Sequence, residues 1–238
     1  MSESPTVVFV HGAFADASGF GGVARELGAA GHDVVAAPNP LRGLASDAAA
    51  VAEVVRATEG PVLLVGHSYG GAVISHVSAA VDNVVGLVYL AAFGLDVGES
   101  CVSVQEPFRT PLLATTSTPT KYDAPGAAGG PDLYISRDGF RETFCADVPV
   151  GTAEVMFVAQ RPVALDALLA KATDAGWKDK PCWYLLSEDD NAIAAEAQAF
   201  MAERMGATVL SMAGSHTTFI ARPVPVARFI LQALAATA

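Results

Sequence analysis

The stretch PVLLVGHSYGGAVIS, residues 61–75, carries no Asp, Glu, Lys or Arg, yet His67 and Ser68 stand in its middle among three glycines. The uncharged run continues to Val81 and is long enough to span a bilayer. Its histidines and serines would be costly in hydrocarbon, because few hydrogen-bond partners exist there. A buried strand that turns abruptly into a buried helix has the same hydropathy, and we favour that interpretation.

The glycine spacing around Ser68 indicates a reactive serine. Residues 66–70 read Gly-His-Ser-Tyr-Gly, which fits G-x-S-x-G directly after a predicted strand and directly before a predicted helix. Such a turn strains its central residue, and the flanking glycines leave room for neighbouring backbone. It also raises the hydroxyl above the sheet, where the helix N-terminus stabilises developing negative charge. A glycine-rich turn with an incidental serine is the weaker alternative.

The composition excludes several classes of protein. Apolar residues make up 52% of the chain and charged residues 16%, so a large core is available and disorder is excluded. A formal net charge of −11 repels phosphate, so we expect neither a nucleic-acid nor a membrane partner.

The three cysteines lack C-x-x-C spacing, which is typical of buried thiols in a reducing compartment. With no basic and apolar leader at the start, we expect a cytoplasmic protein.

Strand and helix patterns alternate over residues 6–93 and again over residues 181–237. Six apolar runs bounded by turn residues predict strands at 6–12, 32–38, 61–68, 83–93, 181–188 and 207–214. Helical periods between them predict helices at 20–30, 46–60, 69–81, 194–206 and 224–237. Strands that are apolar throughout and separated by helices indicate an α/β fold, with a six-stranded, mostly parallel sheet and helices on both faces.

An insertion interrupts this alternation. Pro, Gly, Thr and Ser crowd residues 109–131, which predicts a loop, and three short helices are predicted at 136–147, 150–161 and 163–173. An insertion at the carboxyl ends of parallel strands lies where a lid would cover a site. We therefore predict a core of residues 1–94 and 179–238 and a helical cap over residues 95–178.

A nucleophilic serine needs a base and an acid that orients the base. Where the serine lies on a sharp turn from strand to helix, called a nucleophile elbow, the acid precedes the histidine along the chain. His216 directly follows the last predicted strand and is the one histidine of five in the right place. Asp190 is the preferred acid, because it leaves its strand just before Asn-Ala-Ile and the apolar isoleucine turns back into the core. Asp189 is the second choice, and Asp96 is the third.

An oxyanion hole needs two backbone N–H groups directed at one point. Tyr69, the residue after the nucleophile, is predicted to supply one of them. Ala13 in the loop after the first strand is predicted to supply the other, with Phe14 as the alternative. We expect the His11 side chain to brace this loop rather than to exchange protons with a substrate.

These motifs together resemble the α/β-hydrolase superfamily. HGAF, GHSYGG, SEDDNAI and GSHTTF match its four functional segments in order, and FVHGA, AAGHDV, VGHSYGG and VYLAAF are similar to the branch that holds plant methylesterases, hydroxynitrile lyases and bacterial esterase-like proteins. The resemblance implies an α/β-hydrolase fold, acyl transfer by a Ser-His-Asp triad, and neither a metal nor an organic cofactor.

Three positions separate two chemistries within this branch. Its hydroxynitrile lyases carry Thr, Glu and Lys where this chain has Gly12, His67 and Thr217. A cyanohydrin lyase needs a cation to hold the leaving cyanide, and threonine provides none. The resemblance therefore favours hydrolysis.

A pocket for the substrate is predicted beneath the cap. The helix over residues 150–161 places Ala153, Met156, Phe157 and Gln160 on one face. These residues could line a pocket, or they could simply attach the cap to the core. We predict substrate-binding roles for the following residues: Phe14, Phe93, Phe144, Phe157 and Gln160. A largely apolar pocket suits a small hydrophobic ester.

The sequence thus predicts a serine hydrolase of a small, hydrophobic carboxylic ester or lactone, with a small molecule as its partner. Two alternatives stay open: a lyase or lactone-forming enzyme on the same triad, and a ligand-binding receptor with little turnover. The oligomeric state is also open, and a homodimer is one option.

Overall fold

The computed structural model describes residues 4–122 and 130–237. They form a six-stranded sheet in the order β2-β1-β3-β4-β8-β9, with all of its neighbouring strands parallel, and a three-stranded antiparallel sheet in the order β5-β6-β7. The strands are β1 (Thr6–Val10), β2 (Val34–Ala37), β3 (Val62–His67), β4 (Val84–Leu90), β5 (Ser117–Lys121), β6 (Pro131–Ile135), β7 (Val163–Ala164), β8 (Cys182–Ser187) and β9 (Thr208–Met212).

Helices cover both faces of the larger sheet, which confirms the predicted fold class. The helices are α1 (Gly21–Ala29), α2 (Leu44–Ala57), α3 (Tyr69–Ala80), α4 (Leu113–Thr116), α5 (Arg137–Phe144), α6 (Val150–Val158), α7 (Leu165–Leu169), α8 (Ala195–Arg204), α9 (Thr218–Ala221) and α10 (Pro223–Thr237). Each of the six predicted core strands is present, and their carboxyl ends meet at one edge of the sheet. No described helix has both the length and the apolar content that crossing a membrane requires.

The two faces of the sheet bury two separate apolar clusters. Alternate residues of a strand point to opposite faces, so Val7 and Phe9 pack with α1 and α10, whereas Val8 and Val10 pack with α2, α3 and the insertion. This arrangement explains why the four central strands β1, β3, β4 and β8 are apolar throughout their length, since neither of their faces meets water, whereas the edge strands β2 and β9 are partly exposed.

The insertion between β4 and β8 contains a small sheet as well as helices. The three predicted helices are present as α5, α6 and α7, in shorter form. The prediction of a loop over residues 109–131 is wrong for α4 and β5, and residues 123–129 lie outside the described part. β5 is an edge strand, which is where a proline such as Pro119 is tolerated. Buried side chains of the insertion, including Phe140 and Val163, join the apolar cluster of the core.

The three cysteines are buried and free. Burial raises the pKa of the Cys145 thiol to about 11 and that of Cys182 to about 12. A thiol is a nucleophile only as its thiolate, so these two side chains act as small apolar groups at neutral pH.

Candidate active site

Ser68 occupies the turn between β3 and α3. Its φ of 55° lies in the left-handed region, which costs free energy for a residue with a side chain. The flanking glycines make this turn possible by close approach of backbone: a Cβ at Gly66 would lie 2.7 Å from the carbonyl oxygen of Gly70, and a Cβ at Gly70 would collide with the carbonyl oxygen of Val10. The G-x-S-x-G spacing is therefore a steric requirement of the turn.

Asp190 and His216 form a buried pair beside this turn. Asp190 follows β8 and His216 follows β9, and both side chains are almost fully buried. The Nδ1 atom of His216 donates to Oδ2 of Asp190 at 2.7 Å. The backbone N–H groups of Ala192 and Ile193 donate to Oδ1 of Asp190, at 2.7 and 2.9 Å. The carboxylate is thus held by the chain that follows it and in turn fixes the imidazole.

A glutamine that the sequence analysis missed completes the environment of Asp190. Gln198 on α8 is fully buried, and its Nε2 donates to Oδ2 of Asp190 at 2.8 Å and to the carbonyl oxygen of Ile193 at 2.9 Å. Its Oε1 accepts from the N–H of Ser187 at 3.1 Å. A polar residue on the apolar face of a predicted helix was the available signal, since a buried amide requires partners.

The tautomer of His216 leaves its second nitrogen as an acceptor. With Nδ1 donating to a carboxylate, Nε2 carries the lone pair. That atom is buried and has no hydrogen-bond partner among the residues that the structure describes. Ser68 and His216 line the same cavity. In enzymes without bound substrate, catalytic hydrogen bonds are often long and tighten in the complex.

The alternative acids lie elsewhere. Asp189 is exposed, with its N–H bonded to the carbonyl of Gly214. Asp96 pairs with the Nζ of Lys178 at 2.5 Å, and this hydrogen bond lowers the pKa of the carboxyl. Of the three candidates named from the sequence, Asp190 is the one that contacts His216.

The loop after β1 approaches the serine closely. A Cβ at Gly12 would lie 2.6 Å from Cβ and 3.2 Å from Oγ of Ser68, so a larger residue would displace the serine or the loop. The next two residues, Ala13 and Phe14, are buried and line the cavity, as does Tyr69. Phe14 has a φ of 60°, a strained conformation for a bulky residue. The structure thus brings the predicted oxyanion residues to the same cavity as Ser68.

His11 braces this loop. Its Nδ1 donates to the carbonyl of Gly12 at 3.0 Å, and its Nε2 accepts from the backbone N–H of Asn39 at 3.3 Å. The Nη1 of Arg161 from the insertion also lies 3.3 Å from Nε2. Burial lowers the pKa of His11, and the nearby Arg161 charge lowers it further. The imidazole is therefore neutral at neutral pH, which is the form that accepts these two bonds.

His67 contacts both the backbone and the ring of His216. Its Nε2 donates to the backbone carbonyl of His216 at 3.1 Å, and the two rings lie 4.6 Å apart. Burial holds the pKa of His67 well below its ordinary value, and the charge that His216 would carry lowers it further. His67 is thus a neutral donor that does not compete with His216 for protons.

Tyr69 is anchored behind the elbow. Its hydroxyl donates to Oδ2 of Asp47 at 2.8 Å, and that carboxylate also accepts from the N–H groups of Arg42 and Gly43. Burial raises the pKa of both Asp47 and Tyr69. The side chain of Tyr69, the residue after Ser68, is therefore held by a carboxylate that is itself held by backbone N–H groups.

A cavity of about 370 Å³ opens above Ser68. Its walls are mostly apolar, and no lysine or arginine lines it within the described parts of the chain. The predicted residues Phe14, Phe93 and Phe144 contribute to the walls. Further walls come from residues that sequence reasoning missed, among them Cys101, Phe108, Leu113, Leu133, Leu165, Leu168 and Ile193.

The predictions for Phe157 and Gln160 as cavity residues are wrong. The side-chain amide of Gln160 pairs with the backbone of Ile135, accepting from its N–H at 2.9 Å and donating to its carbonyl at 3.2 Å. Phe157 packs edge-on against Phe140, with the Arg137 guanidinium over its ring. Both residues attach α6 to the rest of the insertion, and neither is part of the cavity wall.

Known proteins resemble this chain over most of its length. Residues 7–229 match the sequence model of a family described as the alpha/beta hydrolase family. A curated relative, the alpha/beta hydrolase nvfD of Aspergillus novofumigatus (strain IBT 16806), is 28% identical over 185 residues, which cover 72% of this chain and 69% of the relative.

Two solved structures share the fold. Polyneuridine aldehyde esterase superposes with a TM-score of 0.82 at 20% identity, covering 97% of this chain and 99% of that one. The methylesterase MES16 from Arabidopsis superposes with a TM-score of 0.78 at 18% identity, again covering 97% and 99%. At this identity the likeness establishes the fold alone.

Proposed function

This chain belongs to the alpha/beta hydrolase family, and we propose that it is a serine hydrolase that cleaves a small, hydrophobic carboxylic ester or lactone. The observation that carries the proposal is the buried 2.7 Å hydrogen bond from His216 to Asp190, which leaves Nε2 of the histidine as a free acceptor at the cavity of Ser68. A structural histidine normally has both of its nitrogens paired when it is buried.

The first step is acylation. Ser68 Oγ attacks the ester carbonyl while Nε2 of His216 takes its proton, and the carbonyl oxygen becomes an oxyanion held by the N–H groups of Ala13 and Tyr69. Collapse of this intermediate breaks the bond to the alkoxide, which receives the proton from Nε2. Asp190 stabilises the imidazolium that forms in between.

The second step is deacylation. A water molecule gives its proton to Nε2 of His216 and attacks the acyl carbon, and the same two N–H groups hold the second oxyanion. The proton returns to Ser68 as the acid leaves. For a lactone, the alkoxide and the acid are two ends of one molecule, so the product is a hydroxy acid.

The cavity supports the substrate class. Its volume of about 370 Å³ is at the lower end of the range for small-molecule sites. Apolar walls favour an uncharged substrate, because an anionic group would lose its hydration there and would also meet the carboxylate of Glu106, which lines the cavity from an exposed position.

Cyanide-lyase chemistry finds no support at the position after the base. The Thr217 hydroxyl donates to the carbonyl of Phe144 at 3.2 Å, and Thr217 is absent from the wall of the cavity. Thr217 carries no positive charge and does not line the cavity, so it does not suit the stabilisation of a leaving anion.

Hydrolysis of a short-chain aryl ester by the purified protein tests the proposal, with Ser68→Ala and His216→Ala beside the wild type. Exposed Ser211→Ala and partly exposed His32→Ala are matched controls away from the cavity. We expect the wild type and both controls to turn over, and the two triad variants to lose about 10³-fold or more in kcat. Folded wild-type protein that is no faster than Ser68→Ala would overturn the proposal, and labelling of Ser68 without turnover would favour a receptor.

A further inference from the structure

Residues 142–147, which end α5 and follow it, contact the loops of both the acid and the base. The side-chain amide of Asn191, directly after Asp190, donates to the carbonyl of Glu142 at 3.1 Å. On the other side, the Thr217 hydroxyl donates to the carbonyl of Phe144. The Phe144 ring also packs on the His216 ring, with 5.1 Å between centroids. One short segment of the insertion therefore touches the neighbours of both members of the pair.

Asp147 makes a side-chain ion pair in this segment. Its Oδ1 accepts from the hydroxyl of Ser215, the residue directly before His216, and its Oδ2 pairs with Nη1 of Arg222 at 2.7 Å. Ser215 is buried, and the Asp147 side chain is 18% exposed. A Cβ at Gly214 would lie 2.7 Å from Oδ2 of Asp147, so glycine at that position lets the carboxylate reach the loop.

We infer that Asp147 is a positioning residue for the base: through Ser215 it fixes the backbone that carries His216, so that Nε2 meets Ser68. This inference rests on the proposed hydrolase function. The bond to Asp190 holds one end of the imidazole, but a ring held at one atom can still pivot about it. The Asp147–Ser215 contact, together with the bond from His67 to the His216 carbonyl, removes that freedom at the backbone.

The effect on the rate follows from geometry. A displacement of about 1 Å in a reacting group can cost about 100-fold in rate. Asp147 lies outside the wall of the cavity, so its loss leaves substrate binding unchanged. A positioning role therefore predicts a fall in kcat with a constant KM, whereas a substrate-binding role would raise KM.

Four variants measured with a short-chain aryl ester test this role. We expect Asp147→Ala and Ser215→Ala each to lower kcat by about 10-fold with KM within about 2-fold of the wild type. Asp147→Asn keeps a hydrogen-bonding atom for Ser215 and is expected to retain kcat within about 3-fold. The double variant Asp147→Ala/Ser215→Ala is expected to be no slower than either single variant, because both remove the same contact.

Arg222→Ala is the matched control, since it removes the ion pair from Oδ2 and leaves the Ser215 hydroxyl on Oδ1. We expect wild-type kcat for it. Asp147→Ala with wild-type kcat, or Arg222→Ala with an equal loss, would overturn the inference, with thermal unfolding confirming that each variant is folded. Failure of the proposed function looks different: the wild type itself would then be no faster than Ser68→Ala, and no base would exist for Asp147 to position.

Discussion

The carboxyl edge of the large sheet and the insertion between β4 and β8 meet at one cavity, but they are built differently. In the core, residues with side chains adopt left-handed backbone after each of the strands β1, β2, β3 and β4, at Phe14, Leu41, Ser68 and Ala91. In the described part of the insertion, positive φ values occur at glycines alone. Backbone strain persists where the surrounding structure over-determines it, and it concentrates at reacting sites. The comparison indicates that the strained turns at Ser68 and its neighbouring loops belong to the core, while the insertion supplies much of the cavity wall and, through Asp147, a contact to the loop of His216.

Outside the proposed triad, the largest effect is expected in the core, where Gly12→Ala should abolish most activity. Its Cβ would lie 2.6 Å from that of Ser68, so either the nucleophile or the oxyanion loop must move. We expect kcat to fall by about 100-fold or more. Gly28→Ala on α1 is the control, because its Cβ would meet nothing within 4 Å. That change should leave kcat intact and stabilise the fold by about 0.5–1 kcal/mol. Equal rates for the two variants would contradict this account of the loop.

A second prediction compares two side-chain amides, buried Gln198 in the core and half-buried Gln160 in the insertion. Gln198→Leu removes a donor from Asp190 and leaves the Ser187 N–H unpaired, so we expect a loss of about 1–3 kcal/mol in unfolding free energy and about 10-fold in kcat. Gln160→Leu removes two backbone contacts at Ile135 in the insertion. It should lose stability without losing kcat. Chemical denaturation measures the unfolding free energy of both variants, and ester kinetics measure their kcat. A fall in kcat for Gln160→Leu would contradict the expected difference between the two amides.

A third prediction concerns pH and the neutral histidines of the core. Burial lowers the pKa of His11 and His67, so both bind protons less readily in the folded than in the unfolded chain. The unfolded chain takes up more protons below the ordinary imidazole pKa of about 6.5, so stability is full above that pH and falls as the pH drops below it. Each such group contributes a slope of up to about 1.4 kcal/mol per pH unit.

Urea unfolding between pH 7.5 and 5 checks this slope. His67→Gln keeps a donor for the His216 carbonyl but cannot titrate, so its stability should fall less steeply than that of the wild type. His32→Gln, at a partly exposed position, serves as the control and should follow the wild type. Parallel curves for the wild type and His67→Gln would show that His67 does not contribute to the loss.

The smallest effect is expected in the insertion. Leu165→Ala enlarges the cavity and leaves the proposed triad unchanged. We expect kcat for a short ester to stay within about 3-fold of the wild type. We also expect the preference for longer acyl chains to rise, by about 10-fold at most. Val158→Ala on exposed α6 should change neither value. A loss of kcat in Leu165→Ala for every ester would contradict a role of Leu165 that is confined to the cavity wall.

The sequence predicts the reacting side of the site better than its walls. The turn at Ser68 can be predicted because steric limits impose glycines at fixed spacing. Asp190 and His216 can be predicted because each follows a strand of a parallel sheet, and the carboxyl ends of those strands meet at one edge. Gln160 could not be placed, because its partner is the backbone of Ile135 on β6, a strand that the sequence analysis did not predict. Asp147 gave no signal, since its contact with Ser215 joins two loops that are distant in sequence.

The central claim is that Ser68 forms a covalent acyl intermediate that His216 helps to resolve. Rapid quenching of the protein with an aryl ester, followed by mass spectrometry of its peptides, tests it most directly. We expect a burst of about one equivalent of phenol per chain and an acyl group on the peptide that contains Ser68, with neither in Ser68→Ala. Turnover without an adduct on that peptide, or an undiminished rate in Ser68→Ala, would contradict the account.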